Sequence, residues 1–261
     1  MSKTESALRA NLDKGKPNLI GYFPLGFPNL DASIEACIEM CKSGIDVLEL
    51  GIPYSDPVMD GIEIQEATEM ALQNGFKLSQ TFDALKRITS AVDTPVLVMS
   101  YWNPVLQFGV EKFASGLKDA GGAGLITPDL IPDEAGEWLA IAEQLDLDRV
   151  FLATPSSSSS RVDTASEVSR GFTYAVSTMG ITGERAELDQ LARTVVKKIR
   201  DSGTAQLAAV GIGISTAEQV REVNSYADAA IVGSAFVRAY SSGGLSGLKD
   251  KVRELSQNVE I

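Results

Sequence analysis

Eight short apolar runs, each followed by a segment with helical spacing, constrain this chain more than any other feature of its sequence. The runs are LIGYF (19–23), DVLEL (46–50), PVLVMSY (95–101), AGLIT (123–127), RVFLA (149–153), FTYAV (172–176), QLAAV (206–210) and DAAIV (228–232). Near-continuous apolar runs of this length are expected when a parallel sheet is covered on both faces. Within 31–44, Ile34, Cys37, Ile38 and Cys41 fall at i, i+3, i+4 and i+7, with Asp31 as the expected N-cap and Gly44 as the stop. Residues 79–92, 110–121, 133–145, 187–199 and 215–227 repeat the helical theme. Eight such units predict an α/β chain folded as one (β/α)8 TIM barrel over residues 1–261. Two additions are expected: a polar N-terminal helix before the first strand, and a helix over 62–75 after strand two. An open doubly wound sheet competes, but no G-x-G-x-x-G follows the first run.

In such a barrel the C-terminal strand ends and the loops after them build the site. Glu49 falls at one of these ends, in VLELGIPYSDPVMDG (47–61), on the same strand face as Val47. A carboxylate aimed into a barrel mouth is either paired with a Lys or Arg or has its pKa raised into a range useful for proton transfer. The loop after it carries Asp56 and Asp60. Pro53 and Pro57 stiffen this loop, and Gly61 would allow an unusual backbone angle. Either aspartate could simply cap a turn or helix, yet Asp60 beside Glu49 would also make an acid–base pair.

The composition narrows the chemistry. There is no histidine, which removes Ser-His-Asp and Cys-His machinery and nearly all catalytic zinc sites. Acid–base work is left to Asp, Glu, Tyr or Lys. No lysine lies at a strand end, which disfavours a Schiff-base aldolase. The formal charge of −12, from 23 basic and 35 acidic residues, argues against nucleic acid as a partner. A small phosphorylated ligand remains compatible, because backbone N–H groups can hold it. Cys37 and Cys41 read as reduced thiols on a packed helix face, with too few partners for a metal site. No run approaches the roughly 20 apolar residues of a membrane span, and a cytoplasmic protein is expected.

Two late turns suit an anion. AVGIGIS follows strand seven and IVGSAF follows strand eight, offering Gly211, Gly213, Gly233 and Ser234 where helices begin. Each glycine alone could be a tight turn, but two such turns on consecutive units favour phosphate. STMGITGERAEL (177–188), after strand six, has the make-up of a lid, with Tyr174 on the strand before it.

Over essentially its full length the chain resembles the α subunit family of tryptophan synthase. ELGIPYSDPVMDG, followed by Ile64 and Gln65, is the most specific piece, and YWNPVLQFG, PDLIPDEA, GITG, GIGIS and GSAFV follow in the family's order. The resemblance implies a barrel that cleaves indole-3-glycerol phosphate to indole and glyceraldehyde 3-phosphate with no metal or organic cofactor of its own. It implies Glu49 as the principal acid–base residue, Asp60 at the indole nitrogen and Tyr174 near the substrate. Phosphate contacts would come from Gly183, Gly211, Gly213, Gly233 and Ser234. It also implies a pyridoxal-phosphate-dependent β subunit as partner in an α2β2 heterotetramer, receiving indole through a tunnel. Pro24, Ile62 and Thr178 stand where many members carry Thr, Pro and Arg. Two other readings stay open: a different phosphate-binding barrel with isomerase or aldolase chemistry, and a regulatory subunit that has lost its own catalysis.

Overall fold

A computed structural model describes residues 1–176, 185–204, 206–211 and 213–257. Its strands are β1 (Leu19–Pro24), β2 (Val47–Gly51), β3 (Val96–Met99), β4 (Gly124–Ile126), β5 (Asp148–Val150), β6 (Leu152–Ala153), β7 (Thr173–Val176), β8 (Ala208–Gly211) and β9 (Ala229–Val232). All pairings between them are parallel, in the order β5-β4-β3-β2-β1-β9-β8-β7-β6. The two ends of that order are separated in sequence by Phe151 alone, so they are halves of one stave and the sheet curls into an eight-stave barrel. The fifth apolar run, expected to be continuous, is broken for a local reason. Arg149 exchanges both backbone hydrogen bonds with Arg170 in an antiparallel bridge before the chain joins β7.

The helices are α1 (Lys3–Leu12), α2 (Leu30–Ser43), α3 (Ile62–Gln73), α4 (Gln80–Thr89), α5 (Trp102–Phe108), α6 (Val110–Asp119), α7 (Gly136–Gln144), α8 (Ser159–Val168), α9 (Arg185–Asp201), α10 (Ala217–Asn224) and α11 (Ser234–Gln257), the last broken at Gly244. Both additions expected from sequence, α1 and α3, are present. The N-cap of α2 is Asn29, whose side chain accepts from the Ala32 N–H, and not Asp31, which instead pairs with Arg87 at 2.8 Å. Helix α5 was not foreseen, because its seven residues are too few to display a period.

Strand alternation sorts the core into two shells. Ile20, Val47, Leu97, Ile126, Val150, Phe172, Ala209 and Ile231 fill the barrel, whereas Leu48, Leu50, Val98 and Leu125 face the helices. Leu8 of α1 packs into the inner shell, so the N-terminal helix closes one end of the barrel. With that end covered, the strands' C-terminal ends are the end left for a site. Cys37 and Cys41 are free and lie on the buried face of α2, as expected for packing thiols.

Candidate active site

Glu49 is in register with Tyr22 of β1 on one side and Leu97 of β3 on the other, and its side chain shares the inward face with Val47. It is 0% exposed, and neither carboxyl oxygen has a hydrogen-bond partner among the described residues. The pairing with a cation that sequence left open is therefore not made among those residues. Burial alone drives the consequence: loss of hydration disfavours the charged form and pushes the carboxyl up to about 8. An unpaired ionisable group in an enclosed site is an expensive arrangement that folding alone does not require.

Asp60 ends the connection between β2 and α3 and is half-buried. It does not cap α3. The N-cap is Gly61, with no side-chain cap hydrogen bond, so the carboxyl is free for other work. Desolvation raises it to about 7. Gly61 has φ −68°, an ordinary extended value, which corrects the expectation of an unusual angle. Its reason is spatial: a Cβ there would lie 3.1 Å from Ser234 Oγ, so the loop carrying Asp60 rests against the start of α11. Ile62 occupies the first helical position of α3, where the proline of many members would also fit, and is 57% exposed. Asp56 is exposed and accepts the Ser55 hydroxyl at 2.6 Å, away from the carboxyl pair.

Tyr174, on β7, is half-buried, and its hydroxyl oxygen lies 2.6 Å from where a Cβ on Gly211 would stand. Gly211 is thus a platform for Tyr174 and not simply a phosphate cradle. The late turns divide their roles further. Helix α10 is capped internally by Thr216 and Gln219, whereas α11 starts at Ser234 directly after β9 and Gly233. Gly213 takes φ +67° with open space around it, the backbone freedom for which glycine is suited. Gly183 and Thr178, with the rest of 177–184, lie outside the described residues.

Sequence reasoning missed two tyrosines. Tyr22, 6% exposed, belongs to an apolar run and reads there as core. Its hydroxyl oxygen lies 2.2 Å from the position of a Cβ on Gly51, so the phenol reaches across β2 beside Glu49. Burial first, then the charges of Asp60, Tyr101, Glu49 and Tyr174, push its phenol well up, which places all five groups in one electrostatic neighbourhood. Gly51→Ala is expected to drive that ring out of place, costing about 1–3 kcal/mol in stability and raising KM for substrate; urea unfolding with steady-state kinetics checks both. Tyr101, at the end of β3, accepts the Met59 N–H at 2.9 Å. Among the described residues no group of three His, Cys, Asp or Glu side chains is arranged to hold a metal ion.

The family model for the tryptophan synthase alpha chain matches residues 8–260. The chain belongs to that family. A tryptophan synthase alpha chain of Leifsonia xyli subsp. xyli is 54% identical over 257 residues, covering 98% of each chain. One from Bifidobacterium longum is 48% identical over 256 residues, covering 94% of this chain and 87% of the relative. The solved structure of tryptophan synthase from M. tuberculosis in its aminoacrylate-bound form matches with a TM-score of 0.92 at 41% identity, covering 100% of both chains. A tryptophan synthase complex from Pyrococcus furiosus matches at TM-score 0.82 and 31% identity, covering 91% of this chain and 97% of that one. Like other tryptophan synthase alpha chains, this protein is a carbon–carbon lyase of tryptophan biosynthesis that cleaves indole-3-glycerol phosphate to indole and glyceraldehyde 3-phosphate.

Proposed function

We propose that Glu49 moves the protons of this retro-aldol cleavage and that Asp60 steadies the indole nitrogen. The carrying observation is the buried, unpaired Glu49 carboxyl, raised to about 8 and so protonated at neutral pH. In that state it can deliver its proton to C3 of the indole ring, leaving a carboxylate and a cationic ring. The carboxylate then takes the proton of the hydroxyl on the adjoining glycerol carbon. As the aldehyde forms, the carbon–carbon bond breaks and its electron pair returns to the ring, neutralising it. Glu49 ends protonated, ready for the next cycle. An ionised Asp60 at N1–H lowers the energy of the cation at the step where charge develops.

Gly213, Gly233 and Ser234, with Gly211 and Gly183, are the proposed phosphate contacts. The phosphate they would hold takes no part in the bond that breaks, so binding energy gained there serves orientation. Tyr174 would line the indole end with its ring. The chain itself would need no cofactor, and pyridoxal phosphate would belong to the partner β subunit. Its buried pair of thiols fits the reducing cytoplasm.

The β subunit, in an α2β2 assembly, would land on the barrel mouth. Val58, Leu106 and Ile131 are 74%, 51% and 43% exposed and sit on three successive connections after β2, β3 and β4. Exposed apolar groups gathered at one end of a molecule suit an obligate partner better than water. Indole release by the isolated chain is expected to be slow and to rise severalfold when the cognate β subunit is added; Leu106→Asp should reduce that rise without changing the rate of the chain alone. An unchanged rate on adding the β subunit would remove the partner from this reading.

A further inference from the structure

Asp60 has to present its carboxyl from a connection that lacks regular structure, so something outside that connection must fix its direction. Local bonds hold the loop to itself and to the next helix: Asp60 N–H to the Pro57 carbonyl at 3.1 Å, and Gln65 Nε2 to the Asp60 carbonyl at 2.8 Å. A tie to the barrel wall comes from Tyr101. It is buried, it stands two residues past β3 at the N-cap of α5, and its hydroxyl accepts the N–H of Met59, the residue before Asp60. Its ring also stacks on Tyr54 of the same loop, with centroids 5.1 Å apart and planes at 30°. The phenol therefore grips the loop at two points, one on each side of the exposed turn around Val58.

We propose that Tyr101 is a positioning residue for Asp60: its hydroxyl, fixed at the end of β3, accepts the Met59 N–H and sets the direction in which the Asp60 carboxyl enters the barrel mouth. This rests on the reading of Asp60 as the group at the indole nitrogen. A phenol suits the task better than an aliphatic side chain or a carboxylate. It accepts a backbone N–H without adding a negative charge beside Asp60, and burial together with Asp60 keeps it protonated. The two contacts have separate jobs. The stack on Tyr54 supplies packing, and the hydroxyl supplies register at Met59. Removing only the oxygen should leave the packing and loosen the aim.

The test is a double-mutant cycle of Tyr101→Phe and Asp60→Asn in the full chain combined with its β subunit, read by single-turnover indole release with enzyme in excess. Tyr101→Phe is expected to lower the rate about tenfold with KM within about twofold, since misplacement of a group acting in the transition state affects kcat. Its melting temperature should fall by less than about 4 °C, because the ring stack survives. In the Asp60→Asn background the same change should lower the rate by less than about twofold. A wild-type rate for Tyr101→Phe, with Asp60→Asn slow, would overturn the positioning role alone. An equal fall in both backgrounds, or a rise in KM with kcat intact, would do the same by showing an effect that bypasses Asp60. An Asp60→Asn enzyme as fast as wild type would overturn the assignment of Asp60 and this proposal together.

Discussion

Glu49→Gln is expected to lower the rate of indole release by about 10³-fold while leaving the affinity for the phosphorylated substrate within about threefold. The amide has the shape of the carboxyl but can neither give a proton to C3 nor take one from the hydroxyl, so both halves of the reaction lose their carrier. In the proposed reading substrate is held through its phosphate by other groups, Gly233 and Ser234 among them, which the change does not touch. Burst-free steady-state kinetics and titration with a phosphate-bearing analogue separate the two quantities. Near-wild-type turnover in this variant would sink the assignment. A stability consequence follows from the same burial. Glu49 has an ordinary value of 4.5 and a folded value of about 8, so the folded state holds this proton more tightly. That contribution is complete below about pH 4.5 and is lost as pH rises through 8. Its size is of the order of 5 kcal/mol, from about 1.4 kcal/mol per pKa unit. Urea unfolding at pH 5 and pH 8.5 should show the wild type losing stability across that window. Glu49→Gln, which cannot ionise, should show a distinctly shallower loss.

Asp60→Asn should slow the reaction by about 10²-fold, and it should change the shape of the pH–rate profile as well as its height. In the proposed mechanism Asp60 acts ionised, which requires pH above about 7, and Glu49 starts protonated, which requires pH below about 8. The profile of kcat/KM is therefore expected to be a narrow bell between those limbs, with both limbs belonging to the interacting pair. Asparagine does not titrate, so the acid limb attributed to Asp60 should disappear while the alkaline limb of Glu49 remains. A variant that kept both limbs, or that ran at the wild-type rate, would return Asp60 to a role in the loop alone.

The inward direction of Glu49 was readable in VLELG because strand parity is set by the backbone: if Leu48 and Leu50 face the helices, 47 and 49 must face the barrel axis. Asp60 was readable as a candidate, but its freedom from helix capping was not, since capping depends on side-chain geometry at Gly61. Tyr22 and Tyr101 were illegible for a different reason. Aromatic residues in and at the end of apolar runs are usually core, and only the register of β1 on β2, with the loop after β2 folded over it, brings a phenol from residue 22 beside carboxyls at 49 and 60. What a glycine makes room for was hidden in a similar way. Gly211 looks like a phosphate turn in GIGIS, yet the space its missing Cβ leaves is taken by Tyr174, 37 positions earlier (211 − 174).

The sequence by itself determined the eight alternating units of a barrel, the inward face of the stave that carries Glu49, and, through the absence of histidine, that acid–base work falls to Asp, Glu, Tyr or Lys. These are consequences of local periodicity and of residue chemistry, which one chain carries on its own. The tertiary structure decided the protonation of the site. A pKa near 8 for Glu49 or near 7 for Asp60 depends on how completely water is excluded, and that exclusion comes from groups far apart in sequence that meet only when the barrel closes.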